Sequence, residues 1–134
     1  MTPALPDILI GQVVALNAPL PPESAGDFMV ARLGLVALLS TLAAQEAERG
    51  PAARVWENEA IAAVLARAGK EPAPAVADDL SWSGLDARNA ELRGALIHVH
   101  ERAERDGDAA LDREILRLYA AMAKARRLEP PGFA

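Results

Sequence analysis

The residue with the clearest chemical potential in this sequence is Arg32, a single charge within an apolar segment. No other charged residue occurs between Phe28 and Gln45. At 100° per residue, Arg32 shares a helical stripe with four large apolar residues, Phe28, Leu35, Leu39 and Leu42. Because a buried guanidinium without a partner is very unfavourable, this arginine must pair or reach solvent. Two interpretations stay open: an ion pair with a carboxylate such as Glu59, Glu91 or Glu104, and a binding site for a carboxylate or phosphate anion.

A second polar group lies on one flank of a helix predicted to run from about Gly84 to Gly107. Its members are Asn89, Arg93, His100 and Glu104. A histidine four residues before a glutamate can act as an acid–base pair. The same flank is also typical of the polar rim of a bundle helix. With Arg32, the residues Asn89, Arg93 and His100 are our candidate ligand-binding residues, whereas His98 points to the opposite side and is expected to be solvated.

Known catalytic and metal-binding patterns are missing from the sequence. There is no cysteine, which excludes thiol catalysis and Cys-type zinc sites. No Glu-x-x-His pair occurs and both histidines lie on one helix facing apart, so a di-iron carboxylate bundle is not expected. No phosphate-binding glycine loop and no nucleophile elbow are present. We therefore predict no catalytic residue, no metal site and no cofactor, and the question of an enzyme leans towards no.

Trp56 is the candidate for an interaction surface. It shares a helical stripe with Ala52, Ala60, Ala63 and Arg67, away from the apolar face that Ile61, Val64, Leu65 and Ala68 form. Three interpretations stay open for this stripe: cover by the N-terminal segment, a homodimer contact, or a ligand pocket. Tryptophan and arginine are enriched among interface anchors, so Trp56 and Arg67 are the candidate interface residues.

The elements that position these residues are all predicted to be helical. The chain of 134 residues is 51% hydrophobic but only 4% aromatic, which favours an Ala- and Leu-rich helical core in a single domain, 1–134. We expect a four-helix up-down bundle with a short additional N-terminal helix. Its parts are an N-terminal helix with a Pro-rich connector (1–22), a helical hairpin (23–69), a Pro/Ala loop (70–82), a second helical hairpin (83–128) and a tail (129–134).

Two turns define the predicted hairpins. Gly50 is expected to end one helix in the left-handed conformation, and Pro51 to begin the next in its first turn. In the second hairpin, the first helix is expected to start with Ser83 as N-cap and to end at Gly107, after which Asp108 caps the last helix. One apolar stripe of each helix is predicted to be buried: Leu85, Leu92, Leu96, Val99 and Ala103 in the first, and Leu111, Ile115, Leu118, Met122 and Ala125 in the second.

Charge and flanking residues constrain the partners and the location. The formal net charge of −5 argues against a nucleic-acid partner. The N-terminus lacks the basic flank of a signal peptide. The segment from Phe28 to Gln45 reaches the lower length limit of a membrane span, but Arg32 and several polar residues favour a buried central helix instead. We therefore expect a cytoplasmic protein with no membrane partner.

The order of several short motifs resembles a known family. In chain order the motifs are Phe28, Arg32-Leu33, Glu46, Gly50-Pro51-Ala52, Glu59, Leu92-Arg93, Leu96-Ile97, Gly107-Asp108, Leu111, Leu116, Ala123-Lys124, Leu128, Pro131 and Phe133. They resemble those of a bacterial family of small all-helical domains of unknown function, typically encoded beside acyl-CoA dehydrogenases and aminoglycoside-phosphotransferase-like kinases. The resemblance implies an accessory role in acyl-CoA or small-molecule kinase metabolism and no catalytic residues.

These observations lead to a function and a set of alternatives. The leading hypothesis is a non-catalytic accessory or protein-interaction module that forms a homodimer and serves an acyl-CoA-related enzyme. The alternative is a small-molecule-binding protein or enzyme with an anion or carboxylate pocket around Arg32, Arg93 and His100. A third class, a peptide-binding helical adaptor, would present an exposed apolar groove.

Overall fold

A computed structural model describes residues 5–24, 26–70 and 79–131, and this part of the chain is helical without any strand. It contains α1 (Leu5–Leu16), a 3₁₀ turn (Pro22–Ser24), α2 (Asp27–Arg67), α3 (Trp82–Asp106) and α4 (Ala109–Ala125). The predicted all-α class is confirmed. Most of the predicted Pro/Ala loop (71–78) and the end of the predicted tail (132–134) lie outside the described residues.

The chain divides into two compact units. The first unit comprises Met1–Gly50 and Leu128–Ala134, and the second unit comprises Pro51–Arg127. The boundary therefore falls at the Gly50–Pro51 peptide, inside α2.

The predicted hairpin corner at Gly50–Pro51 is wrong, because α2 continues through it. Among the described glycines only Gly69 and Gly107 have positive φ, so Gly50 does not adopt the left-handed conformation that would end a helix. The fixed φ of Pro51 is compatible with a helix. Because proline has no N–H group, one backbone hydrogen bond is lost, but the helix does not end there. A Gly-Pro pair is thus compatible with both a corner and an interrupted helix.

The second unit has one hydrophobic core, to which three helical segments contribute. The buried core residues are Ile61, Val64 and Leu65 of α2, Leu92, Leu96 and Val99 of α3, and Ile115, Leu118 and Met122 of α4. The predicted core stripes of α3 and α4 are confirmed except at Ala125, which is exposed, and Leu111, which is half-buried. Burying each large aliphatic side chain stabilises the fold by roughly 1.5–3 kcal/mol.

Caps and one left-handed glycine define the ends of α3 and the start of α4. Ser81, not the predicted Ser83, is the N-cap of α3, and its Oγ accepts a hydrogen bond from the Gly84 N–H at 3.1 Å. Gly107 ends α3 with φ of 70°. Asp108 caps α4 as predicted, accepting hydrogen bonds from the N–H groups of Ala110 and Leu111. A two-residue connection therefore joins α3 to α4.

A carboxylate precedes the N-cap of α3. The Ser81 N–H donates to Asp79 Oδ1 at 3.0 Å. Hydrogen bonds from the side chain and the backbone of Ser81 hold the pKa of Asp79 below its usual value. A negative charge before a helix N-terminus is favourable, because the first N–H groups carry partial positive charge.

In the first unit, three of the four large apolar residues of the expected core stripe of α2 are exposed, and the fourth, Leu42, is half-buried. Phe28, Leu35 and Leu39 are 76%, 56% and 56% exposed, whereas the buried side consists of small residues, Ala37, Ser40 and Ala44. The prediction that the large residues of this segment form the core is therefore wrong. Because this part of α2 is apolar on both sides, its periodicity does not reveal which side is buried.

The tail of the first unit is attached to α2 by one glutamine. Gln45 Nε2 donates to the Glu129 carbonyl at 2.7 Å, and Gln45 Oε1 accepts from the Glu129 N–H at 2.9 Å. The Arg49 guanidinium also donates to Gln45 Oε1, at 2.8 Å. The primary amide thus satisfies both backbone groups of Glu129, as a neighbouring strand would.

By length and composition, α2 could cross a membrane, and in the described part of the chain it is the one helix for which this holds. An apolar helix near an N-terminus meets the same criterion in soluble proteins and in signal sequences, so this is weak evidence for a membrane span.

We expect Pro51→Ala to stabilise the protein by about 2 kcal/mol. The substitution restores an N–H donor inside α2 and removes the free-energy cost of an interior proline. It also raises the entropy of the unfolded chain, which reduces the gain in stability by a smaller amount. Urea unfolding followed by circular dichroism measures the change. Pro19→Ala, in the exposed connector outside the helices, is the control and should change stability by much less. A destabilised Pro51→Ala variant would contradict this account of α2.

Candidate functional site

A network of hydrogen-bonded polar side chains surrounds Glu57 in the second unit. This α2 side chain is fully buried, at 0% exposure. Arg126, the C-cap of α4, donates from Nε to Glu57 Oε1 and Oε2, both at 2.9 Å, and its Nη2 contacts the same carboxylate. The fully buried carboxylate is thus matched by a half-buried guanidinium within one ion pair.

Two asparagines complete the network. Asn89 Nδ2 donates to Glu57 Oε2 at 3.1 Å and to Asn58 Oδ1 at 2.9 Å, and Asn89 Oδ1 accepts from Arg126 Nη2 at 2.9 Å. Asn58 Nδ2 donates to the Leu85 carbonyl at 3.3 Å. The network therefore connects α2, α3 and the end of α4, and each of its side chains has a partner, as buried polar groups require.

The positions of Glu57 and Asn89 follow from helical spacing. Glu57 lies four residues before Ile61, on the core stripe of α2, and Asn89 lies between Leu85 and Leu92 on the core stripe of α3. Sequence reasoning identified Asn89 but placed it on the polar flank, and it missed Glu57 and Arg126. The signal that could have found Glu57 is a carboxylate on an apolar stripe, which needs a cation.

A cleft of about 390 Å³ opens beside this network. It is lined by Glu57 and Arg126 together with Arg93, Ile97, Tyr119, Met122 and Ala123. Arg93 is exposed, and Tyr119 is half-buried. The positive charge of Arg126 is matched by Glu57, so within the cleft wall Arg93 is the guanidinium better placed to meet an incoming anion.

His100 lies next to Tyr119 and pairs with a residue of the following helix. Its Nε2 is 3.0 Å from Asp112 Oδ1, and its ring meets the Tyr119 ring edge-on at 5.5 Å between centroids. The hydrogen-bonding carboxylate of His100 is thus Asp112, although the sequence suggested Glu104. The ligand atoms of His100, Glu104 and Asp112 nevertheless all lie within 4.8 Å of one another.

Tyr119 has a shifted acidity. Burial raises the pKa of its hydroxyl above the usual value, and the negative charge of Glu104 acts in the same direction. The positive charge of Arg93 opposes both. Low polarity around the hydroxyl thus favours the neutral phenol.

The other predicted site residues occupy separate places. Arg32 belongs to the first unit and is exposed, with its guanidinium 5.7 Å from the centroid of the Phe28 ring, so it reaches solvent, as one of the two expectations for it required. Asn89, Arg93 and His100 belong to the second unit, where Asn89 joins the Glu57 network and His100 pairs with Asp112. The predicted flank is therefore divided between two clusters.

His98 is exposed, as predicted, and its Nδ1 lies 3.5 Å from Glu101 Oε2.

The predicted interface residues lie on α2 within the second unit. Trp56 is 40% exposed. Arg67 forms an ion pair with Glu114 of α4, so its charge has a partner within the chain. The second tryptophan, Trp82, carries the Arg54 guanidinium over its ring at 5.5 Å.

No family model matches the chain, and neither a curated protein nor a solved structure is significantly similar to it. The surfaces and side-chain clusters described above are therefore the features from which a function can be inferred.

We expect Arg126→Met to destabilise the protein by about 3 kcal/mol or more, because it leaves the Glu57 carboxylate buried without a cation. Urea unfolding measures the loss. The matched control is the double variant Glu57→Leu with Arg126→Met, which removes both charges and should recover most of the stability. If the double variant is as unstable as the single one, the ion pair does not account for the effect.

The acidity of Tyr119 can be measured directly, because it is the only tyrosine of the chain. We expect its absorbance titration to have a midpoint above about 10, the unperturbed value, and Glu104→Gln to lower that midpoint. A pKa raised by folding means that the linked stability is fully present below the unfolded pKa and is lost as pH rises through the folded one. The urea-unfolded chain is the reference. A folded midpoint at or below the unfolded one would contradict the burial of this hydroxyl.

Proposed function

We propose that the protein is a non-catalytic interaction module that forms a homodimer through the exposed apolar stripe of α2. The observation that carries this proposal is the exposure of Phe28, Leu35 and Leu39 on one side of the helix. We call this side, with Arg32, the α2 stripe. Contiguous exposed apolar residues of this size mark interaction surfaces in soluble proteins.

The surroundings of the α2 stripe extend its apolar area. Met29 and Val36, which lie next to the stripe on the helix, are also exposed, at 43% and 39%. Arg32 lies over the ring of Phe28, which places a cation and an aromatic group at the same point of the surface. Aromatic and arginine side chains are enriched among the residues that dominate binding energies. A partner that covers this stripe gains both apolar burial and a directional polar contact.

A second copy of this chain fits the α2 stripe as its partner. The exposed stripe is apolar apart from Arg32. A two-fold axis near Leu35 and Leu39 would pair the stripes of two antiparallel copies of α2, because one apolar surface can cover another. A self-complementary surface of this kind is what a symmetric dimer requires.

Light scattering after size-exclusion chromatography tests the dimer. We expect a dimeric wild type and at least about 30-fold weaker dimerisation for Leu39→Asp, since two carboxylates would be buried at the axis. Leu35→Asp, on the same exposed stripe, should weaken the dimer as well. Arg105→Glu, on an exposed position of α3, is the control.

Three outcomes would contradict the proposal. A wild type that is monomeric at all accessible concentrations excludes self-association. A monomer that floats with phospholipid vesicles shows that the α2 stripe binds a membrane instead. If the dimer persists in Leu39→Asp but is lost in Trp56→Ala, the contact lies at the predicted Trp56 stripe, and the α2 stripe is the wrong surface.

The biological setting is proposed on the resemblance alone. A homodimeric helical module of the bacterial cytoplasm, accessory to an acyl-CoA-related enzyme, agrees with the gene neighbourhood that the resembled family implies. The alternative, a small-molecule-binding protein, is supported by the cleft beside Arg93 and Tyr119. We favour it less, because one of the two guanidinium groups of that cleft, the half-buried Arg126, is already matched by Glu57.

A further inference from the structure

We propose that His100, Glu104 and Asp112 bind a divalent transition-metal ion, with Zn²⁺ the best match. The three side chains come from two helices and converge at the end of the α3–α4 hairpin. One ligand atom from each of them lies within 4.8 Å of the others. Its three residues belong to the second unit, whereas the residues of the proposed dimer contact belong to the first.

The spacing of these atoms suits ligation of one ion. Zn–N and Zn–O bonds of about 2.0–2.1 Å in a tetrahedral site place two ligand atoms roughly 3.3 Å apart. His100 Nε2 and Asp112 Oδ1 are 3.0 Å apart, close to that separation. Glu104 is exposed, and its ligand oxygen lies within 4.8 Å of the ligand atoms of the other two residues, so a change of its rotamer can complete the set.

Two helices hold the half-buried ligands, His100 and Asp112. His100 and Glu104 are separated by four residues on α3, so their side chains lie on one face of the helix. Asp112 lies in the first turn of α4, whose start is held by the Asp108 cap and the left-handed Gly107. The edge contact with Tyr119 orients the His100 ring so that Nε2 faces Asp112. Ligands on supported helices lose little entropy on binding.

The donor set indicates which ion it would bind. One imidazole nitrogen and two carboxylates suit Zn²⁺, Co²⁺, Ni²⁺ or Mn²⁺, whereas Ca²⁺ and Mg²⁺ prefer oxygen ligands alone. Two carboxylates match the charge of a divalent ion and would otherwise repel each other. Three protein ligands leave at least one coordination position for water or an external ligand.

No metal site was predicted, because the sequence has no Glu-x-x-His pair and both histidines lie on one helix. The ligand set found here is different, namely His and Glu four residues apart and an aspartate from the next helix. The additional signal was the position of Asp112, just after the predicted Gly107–Asp108 turn. A tight turn between two helices brings residues on either side of it together.

Titration of the full chain with ZnCl₂ by calorimetry, and with CoCl₂ by visible absorbance, tests the site. We expect one ion per chain, Co²⁺ ligand-field bands, and displacement of Co²⁺ by Zn²⁺. His100→Gln, Glu104→Gln and Asp112→Asn should each weaken binding at least about tenfold, since even the loss of an outer partner has that effect. His98→Gln removes the other, exposed histidine and should leave binding unchanged.

Circular dichroism of each variant shows whether its helices are intact. If a substitution at His100 or Asp112 prevents folding, Glu104→Gln still tests the site, because Glu104 is exposed. The proposal is overturned if the wild type shows no saturable binding. It is overturned as well if His98→Gln weakens binding as much as His100→Gln does, or if the folded ligand variants bind as tightly as the wild type. Those last two results would mean adventitious surface binding.

Discussion

The structure of the second unit depends on the burial of a single carboxylate, Glu57. A charge with no exposure to water is tolerated only where a cation and hydrogen-bond donors surround it. Arg126 supplies the cation from the end of α4, and Asn89 supplies a donor from α3. The apolar core would accept several small shifts of its helices, but the directional bonds of this network accept one arrangement. The network thereby specifies how α3 and the C-terminus of α4 approach α2, and the cleft lined by Arg93 and Tyr119 lies beside it.

Much of the fold of the second unit could be predicted, because its helices have one apolar side each. Leu92, Leu96 and Ile115 are buried as their spacing indicated, and Asp108 caps α4 as its residue type suggested. The predicted corner at Gly50–Pro51 was wrong for a physical reason. A proline inside a helix is unfavourable, but tertiary packing can offset its cost. Its presence therefore favours a corner between two helices without excluding one continuous helix. The choice between a corner and an interrupted helix depends on packing that local residue types do not encode.

The candidate sites show the same division between local and tertiary information. The His100–Glu104 spacing is visible in the sequence, but the hydrogen bond to Asp112 exists only because the short Gly107–Asp108 connection folds α4 back along α3. Arg67 was read as an anchor for a partner, and in the structure Glu114 of a later helix pairs with it. Charges that look available in a sequence are thus often engaged by residues whose proximity is set by the fold.

Arg32 and Glu57 are both charges on an apolar stripe of α2, but only Glu57 is buried. The residues around each of them explain this difference. Around Arg32 the helix is apolar on every side, so the stripe of Phe28 and Leu35 had no polar opposite that would identify it as inner or outer. Around Glu57 the opposite side is polar or small, so the stripe that continues to Ile61 had to face inward. A lone charge in an apolar segment attracts notice, yet the side of a helix that is buried is set by contrast between its faces. Where that contrast is absent, as in the first half of α2, large apolar residues can remain at the surface, and a partner that covers them is the simplest way to bury them.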